Sequence, residues 1–81
     1  MVSFYVMMDS EDKVVSLVNR LNKLNFDVDA LARHIEIDAK SILGMLAIGT
    51  GSDVMLRAHV DDTSFIDTYL SEFGCKKVVM N

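Results

Sequence analysis

An α+β sandwich, with helices laid on one face of a mostly antiparallel sheet, is the fold class this sequence predicts. Three observations carry it. Apolar spacing switches along the chain between a period of two and a period near 3.6. Cap and stop residues fall at the switches, and the stretches follow one another in the order βαββαβα. The expected architecture is an open-faced, four-stranded sheet with three helices on one face, and the tail can add a further strand. Residues 1–81 read as one domain, near the lower end of what folds without staples.

The first element is a strand. Val2, Phe4, Val6 and Met8 fall on one face, with Ser3, Tyr5 and Met7 on the other. Asp9-Ser10-Glu11-Asp12 then offers a cap followed by acidic residues, as a helix N-terminus favours. Val14, Leu17, Val18, Leu21 and Leu24 recur at helical spacing, which predicts an amphipathic helix over 10–24 with Asn25 as its stop. From Phe26 the period returns to two, and a second alternation begins at Ile35. The pair reads as a hairpin turning at Arg33-His34, although neither residue is the glycine or asparagine that a tight primed turn prefers.

A short helix over 41–48 comes next, capped by Ser41 and stopped by Gly49, and then a loop over 50–53. Val54, Leu56, Ala58 and Val60 define a fourth strand. Asp61-Asp62-Thr63 caps a last helix that carries Phe65, Ile66, Tyr69, Leu70 and Phe73, and Gly74 ends it. The tail from Cys75 to Met80 is apolar enough to join the sheet at an edge or to pack down.

Composition excludes several functions. A net charge of −4 with no basic stripe argues against nucleic acid. No apolar run reaches transmembrane length, and the start of the chain lacks a charged lead-in of the signal-peptide type, so a cytoplasmic protein is expected. Cys75 is the single cysteine, so no intramolecular disulfide can form. His34 and His59 are too few for a metal site, and neither has a Cys, Asp or Glu at ligand spacing. They read as surface or edge histidines, Met7, Met8 and Met55 as core or sheet-face fillers, and Asp27, Asp29, Asp61 and Asp62 as solvated faces and caps. No phosphate loop, nucleophile elbow or catalytic triad is present.

The stretch Lys40-Ser41-Ile42-Leu43-Gly44-Met45-Leu46-Ala47-Ile48-Gly49 stands out because it is apolar almost all round. Two helical turns cannot hide all five of its large apolar side chains on one narrow stripe, so some of that surface either sinks deep into a core or faces a partner. Together with the element order, this stretch resembles HPr, the histidine-containing phosphocarrier protein of the bacterial sugar phosphotransferase system. In that family a Lys-Ser-Ile-x-Gly-x-x-x-x-Gly pattern opens the middle helix. The resemblance runs from about Phe26 to Phe73, specific in the ten-residue motif and loose elsewhere. It implies an open-faced sandwich of four antiparallel strands beneath three helices, with no cofactor.

The first third departs from the family, which carries Gly-x-His-Ala-Arg-Pro on a loop ahead of its first helix. Counting back from the motif without gaps puts Ser10 where the phosphorylatable histidine would stand, with Asp12 and Lys13 where the arginine and proline would be. Glu11 and Asp12 would repel a phosphoryl group there, so phosphocarrier activity at this position is not expected. The resemblance also implies that Ser41 is a candidate for regulatory phosphorylation by a dedicated kinase. Ile42, Leu43, Met45 and Leu46 become candidates for a docking patch, since such side chains adapt to several surfaces.

The preferred reading is a non-enzymatic HPr-like regulatory or adaptor module acting by protein contact. By resemblance its partners would include an HPr kinase or a transcription regulator, and the protein itself would be a monomer or weak homodimer. A working phosphotransfer component would need His34 or His59 beside the start of the first helix. An unrelated small α+β module for ligand binding or oligomerisation would show a different strand order or a buried pocket between helices.

Overall fold

The computed structural model describes residues 1–77. Its elements run β1 (Val2–Met8), α1 (Glu11–Leu21), β2 (Val28–Ala32), β3 (Ile35–Asp38), α2 (Ile42–Ile48), β4 (Ser52–Ala58), α3 (Ser64–Tyr69), a 3₁₀ turn (Ser71–Phe73) and β5 (Lys76–Lys77). All pairings are antiparallel, and the strand order is β3-β2-β4-β1-β5. The expected four-stranded sheet therefore gains a short fifth strand from the tail. The rest of the tail, through Met80, lies outside the described residues.

Alternation decides which sheet face is covered. Val2, Phe4, Val6 and Met8 are buried, with Val28 and Ala30 from β2 and Val54, Leu56 and Ala58 from β4. Against them pack Val14, Leu17, Val18 and Leu21 of α1, Met45 and Ile48 of α2, and Phe65 and Ile66 of α3. The Phe65 ring meets Phe4 and Phe26 edge to face, at centroid distances of 5.8 and 5.1 Å. On the other face Tyr5 and Met7 remain exposed.

Local chemistry sets the boundaries, and here the structure corrects several expectations. Helix α1 starts at Ser10, whose Oγ accepts from the Lys13 amide at 3.1 Å, but it ends at Leu21 rather than residue 24. Asn22, not Asn25, stops it: its side-chain amide donates to the carbonyls of Val18 and Lys40, tying the helix end to the segment before α2. The following amides of Lys23 and Leu24 take tighter bonds to the carbonyls three residues back. Strand β2 begins at Val28, because Phe26 leaves the alternation to stack on Phe65. Strand β4 covers 52–58, two residues earlier than the apolar alternation suggests.

Two turns depend on special chemistry. Arg33 and His34 both take positive φ, 53° and 67°, the signature of a two-residue primed hairpin turn made without glycine. At the start of α3, Thr63 makes no side-chain capping bond. The Asp62 carboxylate does that work, accepting from the Ser64 amide and hydroxyl at 3.0 Å each. The Ser64 amide bond holds the Asp62 carboxyl below its ordinary value, helped by the hydroxyl.

Candidate functional site

Helix α2 carries the candidate site, and its orientation follows from its two ends and one glycine. Ser41 sits in extended backbone and its Oγ accepts from the Gly44 amide at 3.3 Å, so the motif's serine is an N-cap. Gly49, at φ 90°, closes the helix. Gly44 allows close approach to β3: a Cβ there would lie 3.2 Å from Ile37 Cδ1 and 3.4 Å from Ser41 Oγ. Lys40, ahead of the cap, donates from Nζ to the Leu24 carbonyl at 2.8 Å and from its backbone amide to Asp38 Oδ1. The motif's lysine is therefore engaged with the loop after α1.

With the helix pinned this way, its apolar residues divide. Leu43 is 78% exposed and Ile42 37%, while Leu46 is half-buried against the core. Met45 is 0% exposed. That corrects the expectation that Met45 belongs to the docking patch. At helical spacing Met45 and Ile48 lie on one side and reach the core, while Leu43 turns away from it. Exposed Ser41 stands beside Ile42 and Leu43. Sequence reasoning missed Ile35, exposed at the start of β3; its strand alternation gave no sign of exposure because β3 is an edge.

Ser10, where the resemblance leads one to expect the family histidine, has surroundings of a different kind. Ser10 is an exposed cap beside an open hollow of about 310 Å³ lined by Asp9, Asp12, Lys13, Ser16, Glu72 and Phe73. Three carboxylates and one ammonium line it, and Lys13 lies 3.7 Å from Asp9. Arg20 holds Glu72 at 2.7 Å, fixing the 3₁₀ turn to α1. Such a surface disfavours an added phosphoryl group.

Neither histidine lines this hollow. His59 follows β4 at the end where Ala58 pairs with Val2, whereas Ser10 follows β1 at the opposite end, where Met8 pairs with Ser52. Seven strand residues separate the two, roughly 20 Å. His59 Nε2 instead lies 2.6 Å from Asp29 Oδ2. Arg57 joins the same cluster, 3.6 Å from Asp29 and hydrogen-bonded to Glu36. Asp29 is therefore paired rather than merely solvated. His34 lies in the β2–β3 turn beside a trough on the open sheet face that includes Tyr5, Leu31 and Met55. Among the described residues no cluster of His, Cys, Asp and Glu is placed to hold a metal, and no helix is long and apolar enough to cross a membrane.

Burial dominates the chemistry of Cys75. Desolvation pushes its thiol up to about 11, and its Sγ lies 3.7 Å from the Leu70 carbonyl.

The strand order and three-helix layer find a counterpart among solved proteins. The crystal structure of HPr-C-His from Thermoanaerobacter tengcongensis superposes with a TM-score of 0.68, over 91% of this chain and 97% of that one, at 22% sequence identity. The fold is HPr-like. No family model matches the sequence, and no curated protein does. The α+β class, the open antiparallel sheet and the βαββαβα order expected from the sequence are those of this HPr-like fold.

Proposed function

We propose that this protein is an HPr-like regulatory or adaptor module related to the phosphoenolpyruvate-dependent sugar phosphotransferase system. It works in the cytoplasm by protein contact through α2 and does not carry a phosphoryl group. The observation that supports the contact reading is the exposure of Leu43 and Ile42 next to an exposed Ser41 cap. What supports a contact surface is that the two are adjacent: Leu43, 78% exposed, and Ile42, 37% exposed, form neighbouring apolar surface at the head of one helix. Loss of the carrier step is supported by Ser10 at the family histidine's position, by the carboxylates around it, and by the distance of His59.

Ser41 supplies the regulation in this reading. Its hydroxyl oxygen takes the γ-phosphoryl of ATP, releasing ADP and a proton. The phosphate adds about two negative charges at the head of the apolar patch. Asp38 opposes that charge from three residues upstream, which makes the modified surface repel acidic partners. The reading is tested by incubating the protein with an HPr kinase and ATP. The expected result is one added phosphate in the intact mass, absent in Ser41→Ala. An unchanged mass under conditions that modify an ordinary HPr rejects regulation through Ser41.

A further inference from the structure

The two edges of the sheet are protected unequally. On the β3 edge, Glu36 and Asp38 are exposed carboxylates, and a second β3 laid against them would bring like charges together. On the other side β1, flanked only by the two-residue β5, has no such defence of its own. Val2–Met8 contains no charged residue, no proline and no glycine, and it is rich in β-branched and aromatic side chains. Seven residues of this kind at an edge form a ready template for another strand.

Strand β1 is also self-complementary. Antiparallel pairing of two copies about Tyr5 sets Val2 opposite Met8, Ser3 opposite Met7, and Phe4 opposite Val6 of the second copy. That register keeps the buried residues 2, 4, 6 and 8 of both copies on one face, so the helical layers stay on the same side. It opposes no charges.

What occupies this edge in the described structure is β5, whose Lys77 and Lys76 pair with Phe4 and Tyr5. These are the central positions of the self-complementary register. Val6–Met8 pair with β4 alone among the described pairings. We propose that β5 is an edge guard: its backbone pairs with the middle of β1 and so keeps β1 from pairing with β1 of a second copy. Among the described residues, β5 thereby joins the sheet on the side where β1 is otherwise open to self-association.

Sedimentation equilibrium tests this on three proteins whose folding is checked by circular dichroism. The wild type is expected to sediment at its monomer mass of 9.0 kDa. Lys76→Pro/Lys77→Pro, which removes the strap's backbone donors, is expected to move toward twice that mass as concentration rises. Adding Tyr5→Lys to that variant sets like charges opposite at the two-fold and is expected to restore the monomer; Tyr5 is 41% exposed, so the fold tolerates the change. A chain ended at Cys75 reads the same question if the proline variant fails to fold. The proposal is overturned if the folded strap variants stay monomeric, if the wild type is already a β1 dimer, or if the dimer survives Tyr5→Lys. It is equally overturned if neither strap variant folds, because β5 is then an integral strand.

Discussion

Exchanging Met45 and Leu43 for alanine, one at a time, separates the anchor of α2 from its free surface. The two residues lie two positions apart on the same seven-residue helix, and both substitutions improve helix propensity slightly. Their surroundings differ completely. Met45 is 0% exposed and packs in the central core, so Met45→Ala removes buried methylenes and leaves a void, a loss of about 3 kcal/mol. Leu43 has little to lose, and Leu43→Ala is expected to change stability by less than about 0.5 kcal/mol. For 81 residues the total stability is about 4–12 kcal/mol, so the first change removes a large share of it. Urea unfolding followed by circular dichroism should show the midpoint of Met45→Ala falling steeply with little change in slope, while Leu43→Ala overlays the wild type. In thermal melts the gap corresponds to roughly 12–24 °C. Equal losses for the two variants would mean that α2 is rotated relative to the description given above, and the argument for an outward Leu43 would fail.

Two further perturbations test other parts of the molecule. Arg33→Asn/His34→Gly places turn residues suited to positive φ at both positions, and should raise stability by about 1 kcal/mol in the same urea assay; a loss would show that the two native side chains stabilise the hairpin. Cys75, with its thiol near 11 against an ordinary 9.0, holds about a hundredfold less thiolate at neutral pH than a free cysteine. Iodoacetamide should label the native protein slowly and the urea-unfolded protein fast. Because the folded value is raised, the stability gained from keeping the thiol neutral is complete below pH 9 and is lost as pH climbs from 9 toward 11. Fast labelling of the native state would contradict the burial.

Periodicity was sufficient for the sheet and helices because burial on one face forces it. The alternation in β1 and the 14-17-18-21 spacing in α1 leave little freedom in what each face contacts. Boundaries were less legible because tertiary contacts set them. The Asn22 side chain at the end of α1 bonds across to the Lys40 carbonyl as well as back to Val18, and Phe26, ahead of β2, stacks on Phe65. The Arg33-His34 turn was placed by the strands on either side, not by its own residues. At the candidate site, sequence located the capped apolar helix and its serine. It could not say which way the helix rolls, since an all-round apolar segment carries no amphipathic signal. The side on which Met45 falls is set by tertiary packing, which buries it completely while Gly44 lies close to Ile37. The pairing of Asp29 with His59 and Arg57 joins β2 to β4 and its end across the sheet, a proximity that no local spacing encodes.

The contact surface itself is tested by capturing partners from a lysate of the source cells with three immobilised, folded proteins. These are the wild type, Leu43→Glu on α2, and Met7→Glu on the open sheet face, where an exposed apolar side chain lies away from the helices. A docking patch on α2 predicts proteins retained by the wild type and by Met7→Glu and lost from Leu43→Glu. The same proteins held undiminished by Leu43→Glu would contradict it.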